Sequence, residues 1–341
     1  MSLRSAAAAD APPAAPSTSA TAQKVQAEEA AKALNAAAPA TMRKAHWWAQ
    51  ALLFVVPALW SSNYLIARLA SGVVHPHALA FGRWAVALVL LLPFVGRGLL
   101  ARRQALRHEW KQLLALGALG MWICGAWVYL GGQTTSAANI ALIYAVAPVA
   151  IAIAGVKLLH ERMSPLQWSA VVAALAGVLF VIARGEVSTL LALRLSPGDA
   201  WIVAAVLAWT AYSLLLKHWP SALGPGERLA AIIAGGLVAL LPATAWEALT
   251  APPLPFTARA AWLVVLAAVL PGVLSYGAYS LLQRELGAAR TALMQYLAPV
   301  YGALGAWWVL GEVPRWYHGV GAALILPGIW LATRPAAPPA R

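Results

Sequence analysis

Between His77 and Val95 the chain reads HALAFGRWAVALVLLLPFV, a run whose one permanent charge is Arg83. An apolar stretch of about 20 residues is the length an α-helix needs to cross the hydrocarbon core of a bilayer. Such runs recur near 48 to 69, 77 to 95, 112 to 131, 136 to 158 and 166 to 183, then near 199 to 216, 227 to 248, 260 to 282, 288 to 310 and 315 to 333. This spacing predicts an all-α integral membrane protein with ten transmembrane helices. A soluble helical protein would carry amphipathic stripes. Here 62% of 341 residues are hydrophobic and 10% charged, more apolar surface than a soluble domain can hide, so lipid must be the solvent.

The net charge of +13 would suit a nucleic-acid-binding protein if the basic residues gathered on one soluble face. They are scattered among short loops instead, and no nucleic-acid partner is expected. Residues 1–46, rich in Ala, Pro, Ser and Thr and without an early apolar run, read as a disordered cytoplasmic tail. The single cysteine, Cys124, lies in an apolar run, which excludes an intrachain disulfide and a cysteine-based metal site.

Lys and Arg collect on the cytoplasmic side of membrane proteins. With both termini inside, the tails and inner loops hold all of the 24 cations except Arg184, Arg194, Arg259 and Arg315 in outer loops and Arg68 and Arg83 within spans. The loop GRGLLARRQALRHEWK, residues 96 to 111, is the strongest anchor. The expected location is a bacterial inner (plasma) membrane, multi-pass, with both termini cytoplasmic.

The chain is also written twice. YAVAPVAIAIAGVKLLHE, from Tyr144 to Glu161, is matched by QYLAPVYGALGAWWVLGE, from Gln295 to Glu312, and LWSSNYLIAR from Leu59 by AWTAYSLLLK from Ala208. Five crossings separate the copies, so the second enters the membrane upside down. Two inverted five-helix repeats, residues 47–185 and 199–334, are the plan of many secondary transporters.

WSSNYLIARLASGVVHPHALAFGRWAVALVLLLPF and TTSAANIALIYAVAPVAIAIAGVKLLHERMSPLQWSAVVAALAGVLFVIARG, with the duplicated half, resemble the EamA-type branch of the drug/metabolite transporter superfamily over residues 48 to 333. The resemblance implies a ten-helix exporter or exchanger of small metabolites, often amino acids or their analogues, with alternating access between the halves. It implies no particular substrate.

The candidate site residues follow from the polar groups inside the spans. Proline removes the backbone hydrogen bond to the carbonyl four residues earlier. Pro148 frees Tyr144 and Pro299 frees Gln295, so each half has a kinked helix with a free acceptor and a polar side chain at one depth. Freed backbone at mid-membrane is tolerated where it is buried in protein or lines a wet cavity; a kink that only aids packing is the alternative. Asn63 shares a face with Trp60 and Tyr64 and should point into the bundle, toward ligand or a neighbouring helix. Tyr212 holds the matching position in the sixth span. Trp122, Tyr276 and Tyr279 lie deep enough to meet a substrate, whereas Tyr129 and Gln133, near a span end, read as interfacial anchors. Arg83, about 9 Å into its span, can snorkel outward, pair with carbonyls or attract an anionic substrate group; helix-to-helix hydrogen bonding is its structural reading. Glu161, beside Lys157 and Arg162, and Glu312, beside Arg315, end equivalent helices, either as plain interfacial ion pairs or as parts of alternating gates.

None of the eleven carboxylates lies at mid-span, and the seven histidines fall in the tail, in loops or at span ends. A buried proton relay is therefore not expected, unlike the small multidrug-resistance relatives with their embedded Glu. There is no HExxH, GxSxG or Walker loop. The reading is a non-enzymatic secondary transporter that exports or exchanges a small metabolite such as an amino acid. The alternatives are a membrane-embedded enzyme acting on lipid-linked substrates and a passive pore. Expected partners are a small-molecule substrate and the lipid bilayer, with a homodimer left open; no cofactor or metal is expected.

Overall fold

The computed structural model describes residues 40–135, 137–311 and 313–333. The chain divides into residues 1–48 and residues 49–341. Of the first unit only the beginning of a helix is described, and everything below concerns the second. Residues 40–46, which the sequence assigns to a disordered tail, are already helical; the rest of that tail lies outside the described residues.

All regular structure among the described residues is helical. The first half contains α1 (Ala40–Ala70), α2 (Pro76–Ala101), α3 (Arg103–Gly131), α4 (Ala137–Ala145), α5 (Ala147–Leu158) and α6 (Pro165–Ile182). A short α7 (Val187–Leu191) leads into the second half, α8 (Pro197–His218), α9 (Pro225–Thr250), α10 (Ala258–Leu286), α11 (Ala288–Ala292), α12 (Ala298–Leu310) and α13 (Trp316–Thr333). Seven helices among the described residues are long and apolar enough to cross a membrane, and α1 adds the shorter apolar stretch Ala51–Ala67. Phe94, Trp246 and Trp308 remain more than two-thirds exposed, which in water would be a severe liability and in lipid is not.

The helix starts share one device. Pro76, Pro165, Pro197 and Pro225 each open a helix, where a missing N–H costs nothing and a fixed φ favours the first turn. Ser164 and Gln167 complete a reciprocal capping box.

Close helix packing comes from small residues. A Cβ on Gly117 of α3 would lie 2.2 Å from the backbone nitrogen of Gly236 on α9, so nothing larger than glycine fits that crossing. Helices α2 and α9, one from each half, are clasped at both ends. Glu247 accepts hydrogen bonds from the N–H groups of His77 (3.1 Å) and Ala78 (2.9 Å) at the start of α2, and Arg102 at its end pairs with Glu227.

Both long helices α3 and α10 are interrupted by one π-helical turn, Ala118–Ile123 in the first half and Val269–Leu274 in the second. Such a turn misaligns the carbonyl ladder, and side chains from other helices and from the next turn take up the strays. Tyr276 donates to Gly120 O (3.2 Å), Trp84 to Met121 O (3.1 Å) and Ser275 to Leu270 O (2.8 Å).

Candidate functional site

The two proline-centred helices are both broken, in the same place. In the first half α4 stops at Ala145 and α5 starts at Ala147, just before Pro148. In the second a 3₁₀ turn, Leu293–Leu297, separates α11 from α12, just before Pro299. Proline cannot bond back to the preceding turn, so the sequence Ala-Pro-Val produces matching defects in both repeats. Ser61 of α1 reaches the second break, its hydroxyl 3.2 Å from Ala298 O.

Both breaks face one cavity of about 1170 Å³ rather than lipid. Tyr144, Pro148, Gln295 and Pro299 all line it, as do Asn63 and Arg83. It opens between the exposed loops near residues 71–76, 132–135 and 252–254, at the end of the helices where α2 begins and α3 finishes. Its inner wall is aromatic. Trp60 and Trp209, which occupy equivalent positions in the two repeats, meet edge to face with ring centroids 5.1 Å apart, and Tyr276 packs on both at 5.9 Å. Duplicated residues thus touch their own counterparts where the halves meet.

Arg83 is buried to 3% exposure on this wall. Its Nη1 donates to Asn63 Oδ1 (3.2 Å) and to the Tyr129 hydroxyl (3.1 Å), while Tyr129 donates to the same Asn63 oxygen at 2.7 Å. The guanidinium carbon lies 4.5 Å from the centroid of the Trp84 ring. Among the described residues its hydrogen-bond partners are neutral side chains on neighbouring helices, the helix-to-helix bonding considered from sequence, and not carbonyls.

Several sequence expectations need correcting in detail. Tyr129 and Gln133 line the cavity instead of serving as plain interfacial anchors. Trp122 instead packs edge to face on Trp127, off the cavity wall. The cause is the π turn: Trp122 sits inside it, and the extra residue rotates the face that a regular helix would have shared with Tyr129. Tyr212 and Tyr279 are fully buried behind the wall, Tyr279 donating to Ser213 Oγ at 2.8 Å. The side chain of Tyr64, and Glu312 altogether, lie outside the described residues.

The end opposite the mouth is closed between the halves. Glu161, just after α5, does not form the ion pairs expected with Lys157 or Arg162. Its two carboxylate oxygens instead accept the N–H groups of Ala288 (2.7 Å) and Ala289 (2.8 Å), which open α11 in the second half. The positive end of a helix backbone holds a carboxylate well. Gly287 makes this contact possible: its φ is +85°, and a Cβ there would lie 2.8 Å from the Glu161 carboxylate. Beside it Lys217 Nζ donates to Gln283 O at 3.1 Å.

The model of the EamA-like transporter family matches residues 47–183 and again residues 196–334. A protein of Archaeoglobus fulgidus named "Uncharacterized transporter" is 22% identical over 284 residues, 83% of this chain and 96% of its own. The Bacillus subtilis "Uncharacterized transporter YyaM" is 25% identical over 276 residues, 80% of this chain and 89% of its own. A solved crystal structure, 19% identical, covers 84% of this chain and 96% of itself with a TM-score of 0.65, a likeness of fold. With the family model met once in each half and these relatives aligned over most of the chain, this multi-pass membrane protein belongs to the EamA-like transporter family.

Proposed function

We propose that the protein is a secondary transporter of ten crossings in two inverted repeats, exporting or exchanging a small amphipathic metabolite across a bacterial inner membrane. Both termini are cytoplasmic in this reading. The cavity then faces outward, with Asn63, Arg83, Tyr144, Tyr276 and Gln295 on its wall as the substrate contacts and Tyr212 and Tyr279 as the buried aromatic layer behind them.

One observation carries the reading. A cavity sits at the paired helix breaks, open at one end and closed at the other by a carboxylate that ties the two halves together. Rocking one half against the other must break the Glu161 contact and expose the same cavity to the opposite side. The repeat extends this to Glu312, which stands as far from Glu161 along the chain as Pro299 stands from Pro148.

An overexpression growth screen tests export directly, with toxic concentrations of individual amino acids, nucleosides and drugs. Resistance to a restricted chemical class supports the proposal. A passive pore would instead carry ion current in a planar bilayer and show no saturable counterflow.

A further inference from the structure

Resting on the transporter reading, we infer that the cavity selects a small organic anion: a carboxylate on an apolar body of aromatic size, with Arg83 as counter-charge. Among the described residues that line the cavity there is no Asp or Glu, and Arg83 is the one permanent charge. It is buried, its hydrogen-bond partners are neutral, and its Nε has no partner. A buried guanidinium with no anion beside it is a costly arrangement unless a ligand supplies the missing charge.

Among the described residues, the other unpartnered side-chain atoms on the cavity wall can all donate. Trp209 Nε1 and Gln295 Nε2 are N–H donors, and the Tyr296 hydroxyl can donate. The Asn63 oxygen, the obvious acceptor, is already occupied by two donors, Arg83 and Tyr129. A wall rich in free donors, with no carboxylate to meet an ammonium group, favours a net anion over an amine and over a zwitterion. The Trp60, Trp209 and Tyr276 rings provide flat apolar surface for the rest of the molecule.

The test uses the purified full-length protein in lipid nanodiscs and four probes with one benzyl body: phenylacetate, 2-phenylethanol, phenethylamine and phenylalanine. Equilibrium binding of phenylacetate should be at least about tenfold tighter than that of the other three. Arg83→Gln should reduce this preference to less than about twofold. Should that variant fail to fold, Asn63→Asp decides: it sets a carboxylate beside Arg83, so the protein folds and phenylacetate binding is lost. Equal or tighter binding of the alcohol, the amine or phenylalanine overturns the inference. So does absence of phenylacetate binding, or its survival in Asn63→Asp. The transporter reading fails separately, if phenylacetate binds with the expected preference but proteoliposomes show no saturable counterflow of it.

Discussion

Asn63 illustrates how much one side chain can organise. Its oxygen accepts from Arg83 and Tyr129 at once, drawing α1, α2 and α3 together at the cavity wall. Asn63→Leu keeps the approximate volume, leaves the Tyr129 hydroxyl without an acceptor and leaves Arg83 Nη1 with Tyr129 alone. Each buried donor stranded in this way costs about 1–3 kcal/mol. The expected result is a fall of several degrees in the unfolding temperature of the detergent-purified protein, and an unchanged value would show that the triad contributes nothing to stability. Gln295 presents the opposite case. Its amide nitrogen is buried without a partner on the cavity wall. Gln295→Leu should therefore leave membrane insertion and unfolding temperature intact while weakening apparent substrate affinity severalfold; unchanged affinity would reduce the proline breaks to packing devices.

Among the elements, α11 matters most for the proposed transport cycle, because its first two N–H groups are held by a residue from the other half. Removing a carboxylate cap from a helix N-terminus costs about 0.5–2 kcal/mol. Since 1.4 kcal/mol is tenfold in an equilibrium constant, Glu161→Ala should shift the population about tenfold toward the state closed at the present mouth. Cys124 reports on this, since it is the single cysteine and lines the cavity. Its modification by a membrane-impermeant thiol reagent added from the mouth side should slow in Glu161→Ala, and an unchanged rate would remove Glu161 from the gate. The crossing of α3 and α9 sets a different limit. Gly236→Leu must separate the two helices, because a Cβ there already lies 2.5 Å from Met121 Cβ. Loss of expressed, folded protein is expected, read by fluorescence size-exclusion of a tagged chain.

For the whole molecule, the claim most exposed to test is orientation. In the proposed orientation, argued from the excess of Lys and Arg near residues 97–111, that loop and both termini are cytoplasmic. A C-terminal fusion to a reporter active only in the periplasm should remain silent. Activity there would invert the assignment of the cavity mouth and turn the described state inward.

Helix positions and the internal duplication could be read from residues alone, because lipid imposes one length and one polarity on any spanning helix, and a repeated Ala-Pro-Val leaves a visible mark. The same proline rule located the two breaks. Side-chain facing was less accessible. Tyr129 looked like an anchor because depth was judged from distance to a span end. Trp122 looked like its neighbour because the count assumed an unbroken α-helical period, and the π turn of α3 comes from no proline or charge in that segment. The partner of Glu161 was equally hidden: nearby cations in the sequence suggested an ion pair, while the folded chain brings a helix N-terminus from more than a hundred residues away. Burial in lipid is a property of each segment taken alone, and so sequence determines it. Which polar groups face a common cavity depends on how helices rotate and cross, and that is decided when small residues and local helix defects let the two halves pack together.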